Sequence, residues 1–291
     1  MTLLTSPAER AETESTPARS DARRPREVIH RHAWPVRVTH WINALTIFIM
    51  VGSGLNIFNA HPRLYWGQAG ADSDTPFIAL EALETPAGLR GRTTIGPLKL
   101  DTTGLLGVSR EDGELTERAW PQWLTVPSYT DLADARHWHF FFAWVLIANG
   151  ALYLGWSLAR RHIQRDLWPT GDDLRAIPRS ILDHLKLVHP TGEAAKRYNV
   201  LQRLAYLGLL ALVIGMVVTG LCMSPGFDAF APWLVEGLGG RQTARTLHFL
   251  FAFAIVLFIT VHLIEVVLAG PINEVRSMIT GRYAVPQERN G

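Results

Sequence analysis

The sequence predicts an all-α integral membrane protein built as a bundle of four transmembrane helices. Two observations predict it. Charged residues make up only 19% of the 291-residue chain and nearly vanish from four stretches. Each of those stretches is also long enough to cross a bilayer, since a helix rises about 1.5 Å per residue and about 20 apolar residues cover the hydrocarbon layer.

Residues 38–60 and 137–159 each hold 23 residues without Asp, Glu, Lys or Arg. The third stretch covers residues 204–227, and the fourth runs from Thr246 to Ile264 with Glu265 at its edge. Lipid offers no partner to a free backbone amide, so apolar runs of this length are read as helices and not as strands. The expected spans are about 38–60, 137–159, 203–225 and 245–268, within a membrane domain covering 29–282. Residues 1–28, polar and rich in Ser, Pro and Arg, are expected to be disordered in the cytoplasm, and 283–291 to form a cytoplasmic tail. The N-terminal segment lacks the short apolar core of a signal peptide.

Lys and Arg number 18 across the N-terminus to Arg37, the loop 160–199 and the tail from Gly270, against 7 in the loop 61–135 and at Arg241. The positive-inside rule therefore places both termini in the cytoplasm. Arg160, Arg161, Arg165, Lys196 and Arg197 are read as part of that inner anchor, and nothing points to nucleic acid. The outer loop between helices 1 and 2 spans about 75 residues, long enough to expect structure of its own. Its Trp66, Trp120, Trp123 and Tyr129 suit the lipid headgroups or a cap over the bundle. The loop is equally a dock for an extracytoplasmic partner. No internal repeat is evident.

The one cysteine, Cys222, excludes an intrachain disulfide, a covalent Cys-x-x-Cys-His haem site and an iron–sulfur cluster held by this chain alone. Redox cofactors would need other ligands, and histidines are available. Of 11 histidines, His40 lies near the start of helix 1, His137 and His139 at the start of helix 2, and His248 and His262 in helix 4. Metal-binding groups inside a span are functional candidates.

Fourteen residues at 100° each return to within about 40° of the same face after about 21 Å, so His248 and His262 share a face at two depths. In an antiparallel bundle His40 meets His262 at the inner level, and the helix 2 histidine meets His248 at the outer. His137 and His139 point about 200° apart, so one of them faces helix 4; His139, the deeper, is preferred. Any single histidine reads as well as a helix-end residue satisfied by a neighbour. Four that agree in depth, face and pairing favour axial ligands of two low-spin haems. Small residues at Gly52, Ser53, Gly54, Gly150, Gly208, Gly215 and Gly220 would let a flat macrocycle or a backbone approach, although such residues are common at membrane helix contacts. His30, His32, His61, His162, His184 and His189 are read as solvated or headgroup residues.

Three segments carry a family resemblance: Arg37 to Asn43 (RVTHWIN), Arg136 to Trp144 (RHWHFFFAW), and Arg245 to His248 (RTLH) followed by Val261-His262. The chain resembles the bacterial cytochrome b561 and nickel-hydrogenase cytochrome b superfamily, most closely its thiosulfate-reductase-type membrane subunits, from about Arg31 to Arg282. The resemblance implies a dihaem cytochrome b in the bacterial inner membrane, N-in and C-in. His40, His139, His248 and His262 would be the iron ligands of two haem b. It also implies a quinone or quinol as diffusible redox partner and an extracytoplasmic redox subunit, often a molybdenum enzyme. No catalytic residue is assigned.

Asn43, Gln202 and Glu265 are candidates to bond a quinone, each also readable as an interfacial residue satisfied by water. Rival readings are a transporter with a histidine proton relay, which would string its polar groups along a pathway, and a cofactor-free membrane anchor. A zinc hydrolase would need a His-Glu-x-x-His pair, which the sequence lacks.

Overall fold

The computed structural model describes residues 27–71, 73–111, 113–186 and 199–285. The expected disorder of the N-terminus falls largely on residues outside these, as do His189, Lys196, Arg197 and the last six residues.

Four helices are long and apolar enough to cross a membrane: α1 (Trp34–Asn59), α2 (Leu132–Ala159), α5 (Val200–Cys222) and α8 (Arg241–Ala269). Their burial pattern is inverted relative to a water-soluble protein. Phe48, Leu152 and Leu257 stand largely exposed, whereas Thr39, Thr46, Ser53, Asn149, Ser157, Thr219 and Thr246 are buried. Apolar surface needs no cover in lipid, but hydroxyls and amides do, so polar groups turn inward and bond there. The chain is a multi-pass membrane protein.

The spans pack as two hairpins, α1 on α2 and α5 on α8. In the first, Asn149 on α2 donates to the Thr39 carbonyl at 2.9 Å and to Asn43 Oδ1 at 2.7 Å. Two of the spans, α2 and α5, carry side-chain caps at their starts. Asp131 accepts from the Asp134 amide at α2, and Asn199 and Gln202 form a reciprocal capping box at α5.

At one end of the bundle the first and last described strands meet. Strand β1 (Val28–His30) pairs antiparallel with β8 (Arg282–Ala284), after the short helix α9 (Pro271–Thr280). Arg37 donates to the Ile279 carbonyl at 2.8 Å and Trp41 to the Met278 carbonyl at 3.2 Å, tying α1 to α9. Val28, Tyr283 and Ala284 thus belong to a paired strand, which completes this closure. Two short helices, α3 (Gly171–Arg175) and α4 (Ile177–Leu185), lie at the same end, with α3 held to α5 by Asp173 and Arg203 at 2.8 Å.

The opposite end carries a cap. Its four-stranded antiparallel sheet runs β2 (Arg63–Leu64), β3 (Ile78–Thr85), β4 (Gly88–Ile95), β5 (Leu98–Asp101), and a hairpin of β6 (Val108–Glu111) and β7 (Glu114–Glu117) lies beside it. Two short helices, α6 (Pro225–Phe230) and α7 (Pro232–Gly237), join α5 to α8 at this end. An all-α expectation is thereby corrected for the cap. The loop carries short alternating strand-forming segments, which lack the length signal of a membrane span.

Cap and bundle share one hydrophobic core. Phe58 at the end of α1 packs with Leu64, Ile78, Leu80 and Ala119 of the cap, against Trp120 and against Phe249 of α8. Trp120 is thus an internal anchor, its ring 5.8 Å from Phe253. Trp123 remains exposed. The cap also supplies the N-terminal partners that α8 cannot provide for itself. The Gly67 carbonyl accepts from the Gln242 and Thr243 amides, and Gln68 Oε1 from the Arg241 amide. Gly240 makes this possible, because its φ is +104° and a Cβ there would lie 2.6 Å from both Gln68 Oε1 and the Gly67 carbonyl oxygen.

Candidate functional site: two histidine pairs at two levels

The two hairpins face each other across paired imidazoles. His40 on α1 and His262 on α8 have ring centroids 6.4 Å apart with planes inclined at 64°. His139 on α2 and His248 on α8 have centroids 6.3 Å apart, again at 64°. The 14 residues between His248 and His262 separate the levels by about 21 Å along α8. His137 is exposed, and it is His139 that faces α8.

The spacing is informative. A metal held by an imidazole nitrogen sits about 2 Å beyond it, so two imidazoles sharing one metal ion have ring centres about 6 Å apart. Direct hydrogen bonding between each pair is not needed to explain the approach. Both pairs are only partly buried, as expected of rings that line a slot between hairpins.

The pair beneath the cap is oriented by hydrogen bonds. His139 Nδ1 lies 3.1 Å from Ser53 Oγ and 3.2 Å from the Met50 carbonyl oxygen. His248 Nδ1 lies 3.0 Å from Thr219 Oγ1. With Nδ1 engaged, Nε2 of each ring is left for a metal. A Cβ added at Gly54 would meet His139 Cε1 at 3.4 Å, and one at Gly220 would meet His248 Cε1 at 3.4 Å, so each glycine lies directly against a ring. Gly150 and Gly208, by contrast, face open space.

The pair nearer the β1–β8 strands is oriented by packing. Phe258 stacks on His262 at 6.1 Å with planes 2° apart, and Trp41 meets the His40 ring edge at 5.2 Å. His40 Nδ1 is buried without a hydrogen-bond partner. An orphaned polar atom in so apolar a setting marks a ring held for something other than its own solvation. Both sites therefore fit haem iron in donor type and spacing, and the outer pair also in the nitrogen left free.

The polar residues considered for a quinone are not gathered into one place. Asn43 is committed to Asn149, and Gln202 to the cap of α5. Their short polar side chains satisfy nearby backbone and amide groups first, which single-sequence reading does not reveal. A cavity of about 280 Å³ opens instead at the end where β1 and β8 pair, lined by His30, Arg31, His32, Trp156, His162 and Asp166. His162 Nδ1 is 2.6 Å from Asp166 Oδ2 there. Burial, reinforced by Arg31 and the neighbouring histidines, pushes the His32 pKa down to about 4. His30, His32 and His162 are thus brought together and not dispersed in solvent.

Thr219 went unnoticed in the sequence, though a signal exists. Met50 to Leu55 reads MVGSGL and Met216 to Leu221 reads MVVTGL. The shared six-residue pattern occurs on the first and third spans at the level of the capped pair.

Residues 31–281 match the family model described as prokaryotic cytochrome b561. The chain is also 29% identical over 245 residues, 84% of its own length and 93% of the relative's, to a protein of Azospira oryzae described as "Putative protein-methionine-sulfoxide reductase subunit YedZ1". With all four paired histidines inside the matched region, the chain belongs to the prokaryotic cytochrome b561 family.

Proposed function

We propose that this protein is a dihaem cytochrome b subunit that carries electrons between the quinone pool of the bacterial inner membrane and an extracytoplasmic oxidoreductase subunit. The observation that carries the reading is the pair of facing imidazoles repeated at two levels of one bundle. His40 and His262 would hold the inner haem, and His139 and His248 the outer one. A haem with two imidazole ligands has no open position and supplies reversible one-electron exchange.

The residues of the chain do the positioning. Ser53, Met50 and Thr219 orient the outer rings, Phe258 and Trp41 the inner ones, and Asn149 fixes α1 against α2 beside His40. The excess of Lys and Arg in the sequence segments that flank the β1–β8 end supports a cytoplasmic placement for it. The cap then lies outside, and the shared core through Phe58, Phe249 and Trp120 keeps it over the outer pair. That is where a soluble redox subunit would receive or donate electrons. The name of the Azospira oryzae relative supports a catalytic oxidoreductase partner, and the resemblance implies one of the molybdenum class. The cavity at the cytoplasmic end offers His30, His162 and Asp166 as groups to bond a quinone and pass its protons.

A proton-relay transporter would need a continuous polar path, whereas the histidines here stand in two separated pairs, each one metal ion wide. The test is to add a short-chain quinol to the oxidised, purified protein. Reduction of a haem b spectrum supports the assignment, and a haem-containing protein that stays oxidised contradicts the quinone part of it.

A further inference from the structure

We infer that Ser53 and Thr219 are positioning residues that fix the tautomer of His139 and His248 and lower the reduction potential of the outer haem relative to what its ligands alone would give. The inference rests on the haem reading above and deepens it.

Ser53 Oγ is 2.8 Å from the Ile49 carbonyl oxygen, and Thr219 Oγ1 is 2.7 Å from that of Gly215, each four residues back. A hydroxyl has one proton, and the carbonyl can only accept, so that proton is spent within the helix. What remains toward the ring is a lone pair. The imidazole Nδ1 facing it must therefore carry the hydrogen and donate. The Met50 carbonyl, 3.2 Å from His139 Nδ1, requires the same proton independently. Both rings are thus held as Nδ1–H tautomers with the Nε2 lone pair toward the slot.

The arrangement is duplicated in detail. Methionine, hydroxyl residue and glycine occupy equivalent places in MVGSGL on α1 and MVVTGL on α5, and each hydroxyl serves a histidine on the following span. A hydroxyl that merely satisfied itself against its own helix would not need a histidine opposite, twice, with a glycine beside it each time. His40 Nδ1 has no such partner. An imidazole whose Nδ1–H is hydrogen-bonded is the more basic ligand and favours the oxidised iron. The outer haem is thereby stabilised in its ferric form by a device that His40 lacks at the inner site.

The test uses the full-length, haem-loaded protein. Ser53→Ala, Thr219→Val and the double variant are compared with the conservative exchanges Ser53→Thr and Thr219→Ser by redox titration, haem content and electron paramagnetic resonance. The expected result is that one haem shifts upward while the other keeps its potential. Thr219→Val should change the oxidised-to-reduced ratio of the outer haem about tenfold at fixed potential, which is 59 mV for one electron. Ser53→Ala should change it about threefold, since the Met50 carbonyl still accepts. The conservative exchanges should restore the wild-type value, a recovery that a purely structural role does not demand. Loss of the outer haem alone, rescued by the conservative exchanges, supports the same role. Unchanged potentials in variants that keep both haems, or equal loss of both haems, overturn it. Absence of haem from the wild type would instead sink the haem reading itself.

Discussion

His139 on α2 and His248 on α8 face each other with ring centroids 6.3 Å apart although 108 residues of chain, counted from their numbers, lie between them. The pairing predicts a specific pattern of loss. His139→Ala and His248→Ala should each remove the same haem, and their combination should remove no more than either alone. His139→Ala with His40→Ala should remove both. Haem per polypeptide, measured as the pyridine haemochrome, distinguishes this from independent sites.

Asn149 buries two hydrogen bonds between α1 and α2. Asn149→Leu should destabilise the protein by about 1–2 kcal/mol, the upper part of the range for side-chain hydrogen bonds within membranes. Thr39 and Asn43 flank His40, so the inner haem should be lost first on heating. Thermal melts followed at the haem band and by circular dichroism would show the two events separating.

Gly240 sits at a φ of +104° with the cap's Gly67 and Gln68 against it. Gly240→Ala should cost about 1–3 kcal/mol in strain and loosen the hold of the cap on α8. Limited proteolysis should then cut within residues 61–131 faster than in the wild type while the haem spectrum is initially kept.

His32 gives a pH dependence outside the membrane. Its folded-state pKa of about 4 lies below the ordinary 6.5, so the unfolded chain takes up the proton first as pH falls. Its contribution to stability is constant above pH 6.5 and is lost as the pH drops from there toward 4. His32→Gln should flatten this part of the stability profile, measured by thermal unfolding in detergent at fixed salt.

Much of the site was legible because helical periodicity is rigid. Fourteen residues on one helix fix relative face and depth, so His248 and His262 could be assigned to two levels, and antiparallel order then brings His40 and His139 to them. The cap was legible only as a long loop. Its strands pair across short turns, and their apolar alternation is brief, so the sequence carries no length signal like that of a membrane span. The roles of Asn43 and Gln202 were not legible because a polar side chain near a helix end has several partners within reach. Only packing decides that Asn43 meets Asn149. Ser53 was visible merely as a small residue, and Thr219 not at all, since the meaning of a hydroxyl depends on the ring that faces it from another helix.

The most direct test of the central claim is the haem content per polypeptide of the purified full-length protein and of His262→Ala, with reduced-minus-oxidised spectra. Two non-covalent haem b in the wild type and about one in the variant are predicted. No haem in the wild type after haem-replete expression, or two retained in His262→Ala, would contradict the paired-ligand account.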